Sequence, residues 1–552
     1  MSDKRKIVVI GGVAGGATAA GRARRMNESA EITVLERGGE ISFANCGLPY
    51  HISGDIPERK SLILRSAKAF WDRYRILAKT NVEVTRIDRT AKVVFFRESG
   101  KEDKISYDKL ILSQGAAPML PPVTGLENIP AFSLRTLEDM DSINLQTSNS
   151  SSKNVIVVGG GFIGVEMAEA FVKRGFTVDL VEFAPQIMIS VDSEFAQMAE
   201  EEMIKHGVKV HKGTKIESVS KEKEVLLANG IKIHADFILF AAGVRPELEL
   251  AKNAGLKIGE FGGLSVNEYL QTSDPDIYAV GDMIEVLHRI SGKTVRIPLA
   301  GPANRQGRIA ADNAVADAKK KYNGAVGTAV VKVFDKTLGS TGLTEKFLRQ
   351  SGSDVGVSFV HSNNHAGYFP GAERLALKLV YEKKTGKLLG AQCFGGEGAD
   401  KRIDTAATAL ASGMTVQEIA ELDLAYAPPF SSANDPINFA AFQASNQLEG
   451  SVNIISASEL DSLKDFFFLD VRNPDEISRY KVNTNLQIKV DSLRDHINEI
   501  PKDRKIVCLC QSGQRSYIAS RILVQSGFKD VVNLAGGYWT LSAYRKSVNK
   551  EN

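Results

Sequence analysis

Short apolar runs punctuate this chain, and the residues after each run predict what it builds. Ile7 to Ile10 reads as a strand that meets Gly11-Gly12-Val13-Ala14-Gly15-Gly16, then a helical stretch carrying Arg22, Arg24 and Arg25, then a strand from Ile32 to Leu35 ending at Glu36. The plan returns downstream as Val155 to Val158, Gly159-Gly160-Gly161-Phe162-Ile163-Gly164, a helix, and Val178 to Val181 ending at Glu182. This is an internal repeat of two nucleotide-binding units. Each is closed by a further apolar strand running into glycine, Leu110-Ile111-Leu112-Ser113-Gln114-Gly115 in the first and Phe237 to Gly243 in the second. Ile277-Tyr278-Ala279-Val280-Gly281-Asp282 reads as a strand delivering an acid back at the first nucleotide, which makes the second unit an insertion in the first.

A polar stretch from Ser148 to Asn154 predicts the linker between the two units. From about Gly327 to Phe442, strand-like runs such as Ala329 to Phe334 and Leu375 to Val380 mix with helical ones such as Ile403 to Ser412, without another glycine-rich turn. That mixture predicts an α+β interface domain. Gln443 to Val452 is polar enough for a linker, and beyond it Phe466 to Val471, Ile506 to Leu509 and Val531 to Leu534 alternate with helical segments as a small α/β domain. The expected boundaries are 1–150 with 244–326 for the first nucleotide domain, 151–243 for the inserted second, 327–445 for the interface domain and 455–552 for the tail.

Composition adds exclusions. At 552 residues and 43% hydrophobic content, several domains can each have a core. A formal charge of +3, with no basic run interleaved with aromatics, gives no sign of a nucleic-acid partner. The cysteines Cys46, Cys393, Cys508 and Cys510 are few and lack paired ligand spacing, which argues against a disulfide framework or a metal site and fits a reducing cytoplasm. Lys4, Arg5 and Lys6 before Ile7 to Ala20 imitate an export signal, but glycines spaced for a phosphate turn interrupt the apolar run. No apolar stretch is long enough to span a bilayer.

The chemistry follows from the turns and the thiols. A glycine-rich turn lets backbone amides approach a pyrophosphate at a helix N-terminus, and an acid about twenty residues on binds ribose hydroxyls. Gly159, Gly161, Gly164 and Glu182 fit this strictly; the first copy is looser because Val13 holds the middle glycine position. A carboxylate at Glu182 repels the extra phosphate of NADPH, so NADH is the expected reductant. Cys46, between Asn45 and Gly47, has no second cysteine near it and must exchange with sulfur from outside. It stands at the expected start of a helix, whose dipole is expected to lower the thiol pKa. Cys510 opens Cys510-Gln511-Ser512-Gly513-Gln514-Arg515-Ser516, whose amides and Arg515 could hold a charged sulfur chain. Cys393 and Cys508 read as buried apolar residues, and His51, His361 and His365 as surface or interface residues.

Residues 1 to about 445 resemble the flavin-dependent pyridine nucleotide-disulfide oxidoreductases, in the single-cysteine coenzyme A-disulfide reductase branch. The resemblance rests on Ser42-Phe43-Ala44-Asn45-Cys46, His365-Ala366-Gly367-Tyr368 and Tyr426-Ala427-Pro428-Pro429. The tail resembles a rhodanese domain through Asp470-Val471-Arg472, the Cys510 loop and Gly536-Gly537-Tyr538. The resemblance implies two Rossmann-like domains, an α+β dimerisation domain and a rhodanese-like α/β domain. It implies FAD on Gly11, Gly12, Gly16, Glu36, Arg37, Gly281 and Asp282, and NADH on the second turn and Glu182. It further implies a homodimer in which the partner's Tyr368 and the partner's Tyr426 complete each site. Coenzyme A, as substrate moiety or ligand, is expected at Thr18, Arg22, Arg25, Ser42 and Asn45. The implied reaction is NADH-driven reduction of a persulfide, polysulfide or CoA disulfide at Cys46, with sulfane sulfur handled at Cys510. An oxidase or peroxidase cycling Cys46 through sulfenic acid, and a non-catalytic flavoprotein, are the rival readings. Three departures stand out: Ala14 where related peroxidases carry histidine, Phe430 and Asn434 where many CoA-disulfide reductases carry tyrosine and lysine, and Tyr480 to Ile488 in place of Gly-His-Ile-Pro-Gly-Ala.

Overall fold

The computed structural model describes residues 4–150 and 152–549; Ser151 of the expected linker and residues 550–552 of the expected tail domain lie outside the described residues. The chain is mixed α/β and divides into two compact units. One comprises the residues up to Val181 with Thr214–Ala325, the other Glu182–Gly213 with the residues from Val326 onward.

In the first unit, the strand Lys6–Ile10 lies at the centre of a five-stranded sheet in the order 277–279, 109–112, 6–10, 31–35, 77–79, every pair parallel. Residues Ile7 to Ile10 are all buried, and a strand covered on both faces needs a continuous apolar run, not an alternating one. The strand feeds α1 (Ala14–Met26), and the segment after Glu31–Leu35 leads to the short helix α2 (Leu48–Ile52). The second sheet repeats the plan. Asn154–Val158 is flanked by Thr177–Glu182 and Phe237–Phe240, with Ala131–Ser133 beyond, all parallel, and α3 (Phe162–Lys173) follows the glycine turn. A long helix, α4 (Ala300–Ala316), lies so close to α1 that a Cβ at Gly307 would stand 2.2 Å from the Gly15 carbonyl oxygen. The buried alanines Ala19, Ala20 and Ala23 of α1 suit the same crowding.

In the second unit, an antiparallel sheet runs in the order 329–333, 336–342, 388–395, 374–382, 355–363. Its interior holds Lys378, whose Nζ contacts Asp192 at 2.9 Å, Glu194 at 2.6 Å and Glu345 at 2.6 Å. Burial alone would discharge the lysine, but the three carboxylates raise its pKa well above the ordinary value. The expected linker at Gln443 begins later than expected. Helix Pro436–Leu448 runs through it, because Gln443 Oε1 accepts from Ser358 Oγ and Phe359 N, and Gln447 accepts from Tyr381. These polar residues answer buried donors, not solvent.

The tail builds a five-stranded parallel sheet, order 453–455, 531–534, 505–509, 466–470, 486–487, with α5 (Gln514–Gln525) and α6 (Gly537–Ser547). It is seated on the antiparallel sheet. His361 Nε2 lies 2.9 Å from Thr540 Oγ1, and the Arg374 guanidinium lies 3.6 Å from the centre of the Trp539 ring. Among the described residues, no helix is long and apolar enough to cross a membrane.

Candidate functional site

The first glycine turn is a cradle that no other residue type could form. Gly11 has φ +94°, and a Cβ there would lie 2.3 Å from the Ser113 carbonyl oxygen; one at Gly16 would lie 1.8 Å from the Gly11 oxygen. Glu36, at the end of its strand, accepts from Gly12 N and Gly38 N, each at 2.7 Å. Gly281 has φ +83° and donates to Gln306 Oε1 at 2.7 Å, so the turn presents Asp282 beside the sheet end. Gly11, Glu36, Arg37, Gln114 and Arg135 are among the lining of a cavity of about 1040 Å³, at the upper end of small-ligand sites. Buried Gln114 Oε1 finds no hydrogen-bond partner among the described residues. An elongated dinucleotide such as FAD fits this set: amides for phosphate, Glu36 for ribose, and an acceptor held in reserve. Arg37 is exposed and reaches Glu247 at 3.0 Å.

The second turn has the same construction. Gly159 has φ +106°, and a Cβ at Gly164 would stand 1.8 Å from the Gly159 oxygen, while Gly161 faces open space where a ligand can approach. Glu182 ends the strand Thr177–Glu182, with its Oε1 accepting from Ala184 N at 2.7 Å.

Among the described residues, Cys46 is the only exposed one of four free cysteines. It sits in the single turn Asn45–Gly47 ahead of α2, with Sγ 3.9 Å from Asn45 Oδ1. Ser42, at φ +51°, donates to the Gly12 oxygen at 2.8 Å, and its carbonyl accepts from Leu64 N, so backbone bonds tie the cysteine segment to the first cradle. The expected depression of the thiol pKa is not found. Desolvation by the surrounding atoms, then the Glu166 and Asp282 carboxylates, push it upward, and five-residue α2 is too short a dipole to offset them. Glu166 accepts from Tyr50 Oη at 3.0 Å, a pair with no motif to announce it. Among the residues expected at coenzyme A, Arg25 is exposed, Thr18 Oγ1 donates to Asn304 Oδ1 at 2.6 Å, and Arg22 pairs with Asp312 at 2.5 Å, an acid also held by Lys320.

In the tail, Cys510 is fully buried, and its Sγ accepts from Gly513 N at 3.1 Å and Ser516 Oγ at 3.3 Å. Gly513 (φ +95°) makes the turn, and Gly537 backs it, since a Cβ there would lie 2.4 Å from the Cys510 oxygen. Arg515 forks onto Glu476, both contacts 2.6 Å, so the groups that touch the sulfur are an amide and a hydroxyl. Glu476 lies 39 positions upstream of Arg515, and only the fold pairs the two. Tyr368 and Tyr426 are 77% and 46% exposed, with their hydroxyls 3.1 Å apart. Of the histidines expected at the surface or an interface, His365 is buried against Phe369, and half-buried His361 lies at an interface, packed between Phe359 and Trp539.

Residues 5–307 match the model of the pyridine nucleotide-disulphide oxidoreductases, more than half of the chain. The chain belongs to this family. This oxidoreductase also matches the family's dimerisation domain over residues 328–435 and a rhodanese-like domain over 438–541. FAD and NAD(P)H are the cofactors of the family. Among solved structures, reduced CoADR-RHD from Bacillus anthracis is 41% identical with a TM-score of 0.96, covering 99% of each chain. An NAD-dependent persulfide reductase from A. fulgidus is 37% identical with a TM-score of 0.90, covering 97% of this chain and 99% of that one. A coenzyme A disulfide reductase from Staphylococcus haemolyticus is 34% identical over 80% of this oxidoreductase and 99% of its own length.

Proposed function

We propose that this oxidoreductase uses NADH and FAD to reduce persulfide, polysulfide or CoA-disulfide substrates at Cys46, and that Cys510 of its rhodanese domain handles sulfane sulfur. One observation carries the reading: Cys46 is exposed, unpaired and tied by backbone bonds to the first cradle. A thiol so placed exchanges with sulfur brought from outside.

Gly11, Gly12, Gly16, Glu36, Gly281 and Asp282 would hold FAD, which would supply two-electron transfer between nicotinamide and sulfur. The second glycine turn and Glu182 hold the nicotinamide nucleotide. Cys46, as thiolate, attacks the sulfur–sulfur bond of the substrate, so that one sulfur stays on Cys46 and the other leaves as thiolate. Two electrons then cleave the bond to Cys46 and regenerate its thiolate. NADH and a proton are consumed; a persulfide yields thiol and sulfide, and a disulfide yields two thiols. Thr18, Arg22, Arg25, Ser42 and Asn45 are the proposed contacts of the coenzyme A moiety. Arg22 reaches a phosphate only by exchanging or sharing its bond to Asp312.

A homodimer in the cytosol is proposed, with the partner's Tyr368 and the partner's Tyr426 orienting or protonating the leaving sulfur. Exposed Phe430, at 70%, and the two tyrosines support a contact surface on the dimerisation domain. At the rhodanese site, Gly513 N and Ser516 Oγ hold the sulfur of Cys510, and Arg515 acts from its pair with Glu476.

Cys46→Ser tests the assignment. The variant is expected to bind FAD normally, by its absorbance after gel filtration, and to lose more than a thousandfold in NADH-dependent turnover of CoA persulfide and CoA disulfide, about 4 kcal/mol of barrier. Full activity on both acceptors would refute it.

A further inference from the structure

Tyr368 and Tyr426 stand 58 positions apart, neither in a helix nor in a strand, yet their hydroxyls meet at 3.1 Å. Little packs against rings so exposed, so the loops that carry them must set their places. The first loop is closed at its base: Asn364 N donates to the Glu373 carbonyl at 2.8 Å, and Glu373 N donates to Asn364 Oδ1 at 2.9 Å. The second turns after Tyr426, where Phe430 N and Ser431 N both donate to the Ala427 carbonyl. One bond joins the loops directly, from Ala366 N to the Ser431 carbonyl at 2.9 Å.

Both loops also meet one buried ion pair. Arg402, on the helix Ala399–Ser412, donates through Nη2 to the Asn364 carbonyl at 2.8 Å and to Asp435 Oδ2 at 2.7 Å, and through Nε to Asp435 Oδ1 at 3.0 Å. Ser431 Oγ donates to the same Asp435 Oδ2 at 2.7 Å. Asp435 is itself fixed as the cap of helix Pro436–Leu448, accepting from Ile437 N at 3.1 Å. Arg402, Ser431 and Asp435 are at most 2% exposed. A buried ion pair is weak evidence for stability, because well-packed apolar residues often serve as well. Apolar residues could not bond the carbonyl of one loop and the hydroxyl of the other.

We propose that Arg402 and Asp435 are positioning residues, which hold the loops of Tyr368 and Tyr426 in one arrangement so that both hydroxyls act together on the leaving sulfur. The guanidinium fixes the Asn364 end, the carboxylate fixes the Ser431 end, and the bond between them sets the spacing. A lysine would keep the charge but lacks the rigid fork that spans a carboxylate and a carbonyl.

The inference rests on the reading that the two tyrosines serve the Cys46 reaction, and the test separates the two. NADH-dependent turnover of CoA persulfide is measured in the FAD-loaded wild type, Arg402→Lys, Tyr368→Phe/Tyr426→Phe and the triple variant. Arg402→Lys is expected to lose about tenfold in kcat through misplacement of the tyrosines, while FAD reduction by NADH in stopped flow keeps its rate. In the triple variant it is expected to add no further loss, since it acts only through the tyrosines. A loss that multiplies there overturns the proposal, because general weakening of the domain would act with or without the phenols. Ser431→Ala removes one hydroxyl from the network and is expected to lose about threefold with the same non-additivity; it carries the test if Arg402→Lys does not fold. Wild-type kcat in either folded single variant, with the double phenylalanine variant impaired, overturns this proposal alone. Wild-type kcat in the double phenylalanine variant removes the tyrosines from the reaction, and the proposal with them.

Discussion

A single carboxylate, Glu182, is proposed to choose between two forms of the reductant. Glu182 ends its strand with one oxygen fixed by Ala184 N, where it can accept from an unmodified ribose and repel a 2′-phosphate. Glu182→Ala is expected to cut the ratio of kcat/KM for NADH over NADPH by at least tenfold, about 1.4 kcal/mol of discrimination, measured by steady-state kinetics with each nucleotide. Glu182 could be found from its spacing to the glycine turn. Tyr50, Glu166 and Glu476 could not, because each pairs with a residue that no local pattern links to it. The upward push on the Cys46 thiol escapes the sequence for the same reason: the helix start is local, whereas the atoms that desolvate the thiol, and after them Glu166 and Asp282, come from elsewhere in the chain.

Two features of the second unit belong to elements. Lys378 stands in mid-strand, 2% exposed, among Asp192, Glu194 and Glu345, and its ammonium is what lets the three acids share one interior. Against burial, Lys378 and Arg349 hold the Glu345 carboxyl down at about 2. Lys378→Met leaves those acids without their central cation and is expected to cost about 3–5 kcal/mol, seen as a lower midpoint in urea unfolding followed by circular dichroism. His361 sits where the antiparallel sheet meets α6. Burial, then Arg374, push it down to about 3, so the folded state binds fewer protons there than the unfolded chain, whose histidine titrates near 6.5. Its contribution to stability is therefore complete above about pH 6.5 and lost as pH falls toward 3, with a slope of about 1 kcal/mol per pH unit. His361→Gln is expected to flatten that acid-side slope in urea titrations between pH 6.5 and 4.5; an unchanged slope would remove His361 as its source. The strands Lys6–Ile10, Glu31–Leu35, Asn154–Val158 and Thr177–Glu182 and the glycine turns between them were legible beforehand, since they are local. The extent of helix Pro436–Leu448 was not, because Gln443 and Gln447 look like linker residues until their buried donors are in place.

At the scale of the whole molecule, the proposed homodimer has a consequence that no single chain can show. If the partner's Tyr368 and the partner's Tyr426 complete each Cys46 site, then Cys46→Ser and the double variant Tyr368→Phe/Tyr426→Phe carry their defects on opposite sides of that site. Mixed and allowed to exchange subunits, two impaired preparations should recover about a quarter of wild-type activity, because half the dimers are mixed and each mixed dimer has one intact site. Recovery absent after exchange, verified by native mass spectrometry, would place the tyrosines outside the shared site.

By itself the sequence determined the two nucleotide cradles, the lone thiol and the turn around Cys510. Each cradle, like the Cys510 turn, is a strand, a glycine with positive φ and a helix within a few positions, and those steric demands act locally. Only the tertiary structure decided what surrounds the thiols and what is charged inside. Tyr50 and Glu166 stand 116 positions apart and Lys378 and Asp192 186 apart, and charge acts through space, so no local pattern could announce them.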